Sequence, residues 1–576
     1  MPFLQLFLGL LDRGVLIVVR ALHISFNSFE VQSFISSSQC EKAYLDRTML
    51  KSVRTIKPNG TVAVIGSGVS GLTFTYFINK LRPDLKITVF DEQNKNGGWL
   101  YSYRFNDEKD SGKEVMVEKG PRTLRGVSDG TAVIIDTIDK LGEIEKVQTV
   151  SADSDANKKF LLDSNDKLVK VPGKLMSMDT MKLVFFNSLG KNIITSVLFE
   201  PFRKSKPLVE DEAVSSFLSR RFGPSNSLSD NFLSAIYHGI YADDINRMSL
   251  AKTNSSIFRL EKDHGTVFKS LFAKRTPEKV SESALSKYDK YFNSENGDIF
   301  KLFSKLKKFP ILGITGGLQS FPNMISNHLI QNCANVEIRR EDQVVSLSNE
   351  ANQILLKTAN KESMKFDHVR VTSNPGKLKK TFDNEEIKKE LNKLSSVSTV
   401  LVNFYLPNKD IIPREYNGFG YLVPQINENK EKLLGVIFDS VIEKNFQPLE
   451  KGKNIILNNY TKLTLMLGGH YLEQMDASEI KDEKRWIEKC KNILNKHLGA
   501  QREDLTRGHW EFTIAKEGIP HFFVGYPDWA KNFETLVSTN YNNKVSLGGM
   551  GFSRGPGVPD VVVNSLLDAI KLSGKE

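Results

Sequence analysis

Residues 61–91 read TVAVIGSGVSGLTFTYFINKLRPDLKITVFD, and this stretch decides the fold. The run TVAVI over 61–65 is short, apolar and β-branched, as suits a strand buried in a parallel sheet. GSGVSG over 66–71 is a turn. From 70 to 81, Leu72, Tyr76, Phe77 and Leu81 recur at helical spacing, and Pro83 stops the helix. KITVF over 86–90 is a second strand, closed by Asp91. Strand, glycine turn, helix and strand within about 30 residues make a βαβ unit.

Each glycine of the turn has its own physical reason. Gly66 permits the tight turn, Gly68 lets backbone approach a pyrophosphate, and Gly71 lets helix and strand pack closely. Ser70 stands among them at the helix start, where free N–H groups and the helix dipole favour phosphate. Asp91, 20 residues beyond Gly71, is placed to accept hydrogen bonds from ribose, and Glu92 is able to share that task. The chain continues DEQNKNGGW over 91–99. A basic residue followed by Gly-Gly soon after the ribose acid marks an FAD binder rather than an NAD binder. Here the basic residue is Lys95, which keeps the charge of the usual arginine but lacks its bidentate fork.

At this point the chain resembles the monoamine oxidase and phytoene desaturase superfamily of flavoproteins. EKGPRTLR over 118–125 narrows the likeness to the protoporphyrinogen oxidase family, of the budding-yeast mitochondrial type. Further segments agree in order: DEAVSSFLSRRFG over 211–223, GIYADD over 239–244, GITGGLQSFP over 313–322 and FDHVRVTSNP over 366–375. GFGYLVP over 418–424, LGVIFDS over 434–440 and LGGMGFSRGPGVPD over 547–560 follow. The match runs from about Met49 to the C-terminus.

The resemblance implies an α/β fold: a Rossmann-like FAD-binding domain, a mixed-sheet substrate domain and a helical membrane-associated domain. It implies that Gly98, Trp99, Gly120, Pro121, Arg122 and Thr123 line the flavin. Val344 would meet adenine through its backbone, and Val558, Pro559 and Asp560 would meet the flavin at the last helix. For the substrate, Lys159 stands where arginine commonly pairs a propionate, and Gly420, Leu422 and Met466 would sandwich a tetrapyrrole. No side chain is expected as an essential acid or base, and no metal is expected. The implied reaction is FAD-dependent oxidation of protoporphyrinogen IX to protoporphyrin IX, with dioxygen as acceptor and hydrogen peroxide as by-product. The implied setting is peripheral or monotopic attachment to the mitochondrial inner membrane, with a possible homodimer and hand-over to ferrochelatase. Two alternatives stay open: a related amine or polyene oxidase, and a non-catalytic FAD-binding membrane protein. Cys40, Cys333 and Cys490 do not fall in a C-terminal motif for covalent flavin, which argues against that subgroup of amine oxidases.

The totals agree with a large globular protein. A chain of 576 residues is too long for one core. Hydrophobic residues at 40% and charged residues at 26% exclude disorder throughout. A net charge of +11 suits an anionic surface or an acidic small molecule. The chain has no aromatic-basic recognition motif, so no nucleic acid is expected. Three cysteines so widely spaced give neither a disulfide framework nor a metal-ligand pattern.

The expected organisation is a leader or targeting segment at 1–48, then FAD-binding domain at 49–160, 310–375 and 541–576. A helical, membrane-binding substrate region is expected at 161–309 and the substrate domain at 376–540. The leader is apolar but broken by Asp12 and Arg13, short of the roughly 20 apolar residues that cross a bilayer. A true start at Met49 is the alternative. Residues 176–206 and KLFSKLKKF over 301–309 have the look of helices lying in a headgroup layer; core-facing helices with a solvated edge fit equally.

Overall fold

The computed structural model describes residues 55–107, 112–172, 178–203, 211–224, 226–255, 257–258, 261, 265–267, 283–292, 298–350, 352–450 and 459–575. The leader lies outside them.

The βαβ unit forms as its sequence predicts. Strand β1 (Thr61–Ile65) leads into helix α1 (Val69–Leu81) and then strand β2 (Lys86–Phe90). Three distant segments complete the sheet: β3 (Val336–Arg339), β4 (His368–Val371) and β5 (Val545–Leu547). The order is β5-β4-β1-β2-β3, and every pair is parallel. β1 is the central strand, and Val62, Ala63 and Val64 have no exposed surface. The last helix, α2 (Val558–Ser573), packs beside α1, with Leu72, Ile78, Val562 and Leu566 in one core.

Among the described residues, a second sheet has seven strands. Its order is His509–Pro520, Ser396–Pro407, Tyr460–Gly468, Leu433–Ile437, Gly420–Leu422, Lys159–Leu162, Leu168–Val171. All neighbours are antiparallel except Gly420–Leu422 with Lys159–Leu162. This is the expected mixed sheet. The boundary expected at 160/161 falls inside Lys159–Leu162, a strand that belongs whole to this sheet. One face of the sheet is covered by helix Glu483–Leu498, whose Trp486, Cys490, Ile493 and Leu494 share a core with Phe160, Tyr421, Val436, Leu465 and Val402.

Helices fill much of the middle of the chain, among them Ile193–Phe199, Val214–Phe222 and Ser234–Tyr241. In the 176–206 stretch, Leu183, Ile193 and Val197 are buried, whereas Met181, Phe185, Phe199 and Phe202 are exposed. The basic stretch after residue 300 is settled differently. Helix Ile299–Leu306 buries Ile299 and Leu306 and packs Phe300, Leu302 and Phe303 against the core of the FAD-binding domain. There the core-facing reading holds. No helix of the described residues is long and apolar enough to cross a membrane.

Candidate active site

The glycine turn is built around one groove. Gly66 has φ +107°, and a Cβ there would lie 2.8 Å from Thr372 Oγ1. A Cβ on Gly71 would lie 1.9 Å from the Gly66 carbonyl oxygen, so only glycine lets α1 close onto β1. Gly68 is different. Nothing approaches its Cβ position nearer than Gly98 Cα, at 3.8 Å. Gly68 and Gly98 therefore face each other across bare backbone, where a side chain would fill the space. α1 has no side-chain cap at Gly68, which leaves its first N–H groups for an anion. These features fit the pyrophosphate of a dinucleotide.

Asp91 is part of the turn itself. Its Oδ2 accepts from Ser67 N at 2.6 Å and Ser67 Oγ at 2.8 Å, and its Oδ1 accepts from Gln93 N at 2.8 Å. A carboxylate offers about four acceptor positions, so capacity remains for a ribose hydroxyl. Val344 is buried nearby, two residues past Asp342, whose N–H donates to the Asp91 carbonyl at 2.9 Å. Two side chains here have partners of their own. Glu92 is exposed, pairs with Lys377 at 2.9 Å and takes Gln343 Nε2 at 3.3 Å. The Ser70 hydroxyl is buried against Ser565 of α2, so only the Ser70 backbone serves the helix start. Lys95 packs against an aromatic ring. Its ammonium lies 3.1 Å from the centroid of the Tyr101 ring. Gly97, not singled out from the sequence, has φ +103° and donates its N–H to Ser67 O at 3.0 Å. The Gly-Gly pair was the signal for it.

The segments expected at the flavin converge. A Cβ on Gly120 would lie 2.0 Å from Trp99 O, so these two segments pack backbone to backbone. Thr123 lines, with Arg122, Asn403, Asp439 and Lys462, a small cavity of about 40 Å³; Pro121 is exposed. Arg122 reaches with its guanidinium from the turn into the mixed sheet, its Nη2 still donating to Gly120 O at 3.4 Å. Its Nη1 donates to Asp439 Oδ1 at 2.6 Å and Thr464 Oγ1 at 2.7 Å. At the start of α2, Val558 and Asp560 are buried. Pro559 is clamped, because a Cβ on Gly130 would meet its carbonyl oxygen at 2.2 Å. The Asp560 carboxylate is occupied by Arg554 at 2.9 Å, which leaves the α2 N–H groups rather than that side chain to face a ligand.

The four expected substrate residues share one surface. Thr513, Leu401, Met466, Gly435, Leu422 and Leu161 lie directly opposite one another across successive strands. So do Glu511, Asn403, Thr464, Ile437, Gly420 and Lys159 in the next row. Opposed residues point to one face, as do residues two apart along a strand. Lys159, Gly420, Leu422 and Met466 are thus on the same face. It is the face toward the flavin-lining turn, since Thr464 bonds Arg122 and Asn403 Nδ2 donates to Glu118 O at 3.2 Å. Lys159, Leu422 and Met466 are half-buried. Gly420 has a further reason to be glycine: with φ +137°, a Cβ would lie 2.1 Å from Val436 O.

Asn403, Thr464 and Asp439 were missed from the sequence. The signal was present, a lone Asn and a lone Thr within the apolar runs VLVNFYL and LTLML. Glu118 is buried, accepting from Leu318 N at 2.7 Å and Ser102 Oγ at 2.9 Å, and burial pushes its carboxyl up. His238 is buried with Nδ1 against Val423 O at 2.8 Å, and burial lowers it to about 4, which keeps it neutral.

The fold and this cleft define a flavoprotein oxidoreductase, and the chain belongs to the flavin containing amine oxidoreductase family, whose model matches residues 69–515. Its cofactor is FAD. The chain is 43% identical to the protoporphyrinogen oxidase of Saccharomyces cerevisiae, over 91% of this chain and 100% of that protein. It is 25% identical to the protoporphyrinogen oxidase of Schizosaccharomyces pombe, over 89% of this chain and 98% of that one. A solved structure from Exiguobacterium sp., 19% identical, matches 90% of this chain and 99% of its own with a TM-score of 0.64, and shares the fold.

Proposed function

We propose that this chain oxidises protoporphyrinogen IX to protoporphyrin IX in haem biosynthesis, with FAD as the redox cofactor. The observation that carries the reading is the placement of Lys159, Gly420, Leu422 and Met466 on the sheet face turned toward the flavin wall. The 43% identity to the Saccharomyces cerevisiae enzyme over almost the whole chain supports it.

When bound, FAD supplies the hydride acceptor for three two-electron oxidations of the macrocycle. The protein's own part is to bind, orient and exclude water. The α1 start and the Gly68–Gly98 groove hold the pyrophosphate, and Asp91 takes the ribose. Leu422 and Met466 offer apolar surface to the ring system, and bare Gly420 leaves room beside them. Lys159 meets a propionate with its ammonium. No histidine is required, because pyrrole N–H protons leave to water.

Dioxygen as the acceptor, with hydrogen peroxide formed, is part of the proposal. So is peripheral attachment to the mitochondrial inner membrane. Phe199 and Phe202 are 60% and 82% exposed, with Met181 and Phe185 also bare and Lys182 and Lys191 exposed nearby. Aromatic side chains among lysines suit the headgroup layer. A homodimer and hand-over to ferrochelatase rest on family likeness alone.

The test is direct. The protein is purified in detergent, its flavin spectrum recorded, and porphyrin fluorescence followed after the colourless porphyrinogen is added under air. A yellow protein that never exceeds the spontaneous rate rejects the proposal. Flotation with anionic vesicles checks the membrane part: Phe199→Glu/Phe202→Glu is expected to stay in the soluble fraction, and continued flotation counts against the patch.

A further inference from the structure

We propose that Lys252 is a positioning residue for the flavin turn, tying it to the helices over the substrate face. The proposal rests on the FAD reading above.

Lys252 lies on the short helix Leu250–Thr253, whose N-cap Ser249 accepts from Lys252 N at 2.9 Å. Its Nζ donates to the Ser553 carbonyl at 2.6 Å. Ser553 belongs to the turn between β5 and α2, the last of the segments that converge on the cofactor. The Phe522 and Tyr526 rings flank the ammonium, with centroids at 5.3 and 5.6 Å. Tyr526 Oη donates to Gly551 O of the same turn at 3.1 Å. The turn is therefore held at two carbonyls, by a phenol at one and a cation at the other. Protein surrounds the Lys252 ammonium, yet the side chain keeps partial solvent access, as a group lining a cleft does. Burial pushes the ammonium down to about 8, against Asp560 and Glu534, so it stays charged at neutral pH.

The same helix reaches the other way. Tyr237 Oη lies 2.8 Å from Thr253 Oγ1, and Tyr241 Oη donates to Thr253 O at 3.3 Å. Both tyrosines are on helix Ser234–Tyr241, together with Gly239. A Cβ on Gly239 would meet Leu422 Cδ2 at 2.8 Å, so that helix lies directly on the substrate face. One helix of four residues thus touches the flavin turn through Lys252 and the substrate cover through Thr253.

The experiment measures FAD affinity of the apoprotein and the midpoint potential of the holoprotein. Lys252→Met removes the charge and the hydrogen bond to Ser553. FAD affinity is expected to fall about tenfold, the worth of one charge-assisted hydrogen bond. The potential is expected to fall as well, because reduction adds negative charge that a nearby cation stabilises. Lys252→Arg is expected to restore both. Wild-type affinity and potential in Lys252→Met overturn the proposal, and so does a Lys252→Arg protein as defective as Lys252→Met. If Lys252→Met does not fold, Lys252→Gln replaces it under the same criteria. Neither readout uses porphyrinogen, so an error in the substrate leaves this test intact.

Discussion

Arg122 and Asp439, 317 residues apart, form a 2.6 Å ion pair with both side chains less than a tenth exposed. Thr464 Oγ1 completes the knot, donating to Asp439 Oδ2 at 2.7 Å and accepting from Arg122 and from Asn403 Nδ2. The pair locks the flavin-lining turn to the substrate sheet.

Removing one partner of a buried pair strands the other charge, at a cost of about 3–5 kcal/mol. Asp439→Ala is expected to lose that much stability in urea denaturation of the FAD-loaded protein. Arg122→Met/Asp439→Leu, with neither charge left, is expected to lose less than either single change. A double variant weaker than both singles contradicts this account.

The glycines of the turn are expected to fail in different ways. Gly71→Ala forces a Cβ to 1.9 Å from a carbonyl oxygen and is expected to unfold the unit. Gly68→Ala has 3.8 Å of room, so it is expected to fold with normal secondary structure yet lose FAD affinity. Circular dichroism and FAD titration separate the two. Equal FAD affinity in Gly68→Ala and the parent would show that the groove is not the phosphate site.

Lys159 is expected to act on substrate alone. Lys159→Met should raise KM while leaving flavin content unchanged, and Lys159→Arg should restore KM by keeping the charge. Unchanged kinetics in Lys159→Met would remove it from the propionate site.

Two buried histidines make stability fall in acid. Burial lowers His368 to about 3 and His238 to about 4, each from 6.5. Below pH 6.5 the unfolded chain takes up protons that the folded chain refuses. Their contribution is therefore complete above the unfolded value and declines as pH falls toward the folded one. Each costs up to about 1.4 kcal/mol per pH unit in that window. His368→Gln is expected to flatten the slope between about pH 6 and pH 4; an unaltered slope would refute the assignment.

Much of this was legible in the sequence, for local reasons. β1, the turn and α1 are set by residues that are neighbours in the chain, so period and glycine spacing suffice. The assignment of Lys159, Gly420, Leu422 and Met466 to the substrate came only from family likeness, and their shared face was not legible, because strand order cannot be read from a strand. Side-chain direction was not legible. Nothing local to Ser70 says that Ser565 will take its hydroxyl, and nothing near Glu92 announces Lys377. Arg122 was placed in the right turn, yet its guanidinium follows a partner from another sheet. The amphipathic pattern of Ile299–Leu306 was genuine, but pattern alone does not distinguish a protein core from a lipid layer.

The parallel sheet is stitched from segments at opposite ends of the chain. β1 is flanked by β4, and β5 at the edge is among the last strands made. α2, which lies against α1, comes later still. On the ribosome, the nucleotide site is therefore unfinished until β5 and α2 have emerged, long after its glycine turn. Cofactor loading then waits for β5 and α2, and the nascent glycine turn must be kept from collapsing or aggregating in the interval. A stop ahead of β5 or α2, even one that spares every residue of the substrate sheet, leaves a chain unable to complete the flavin site.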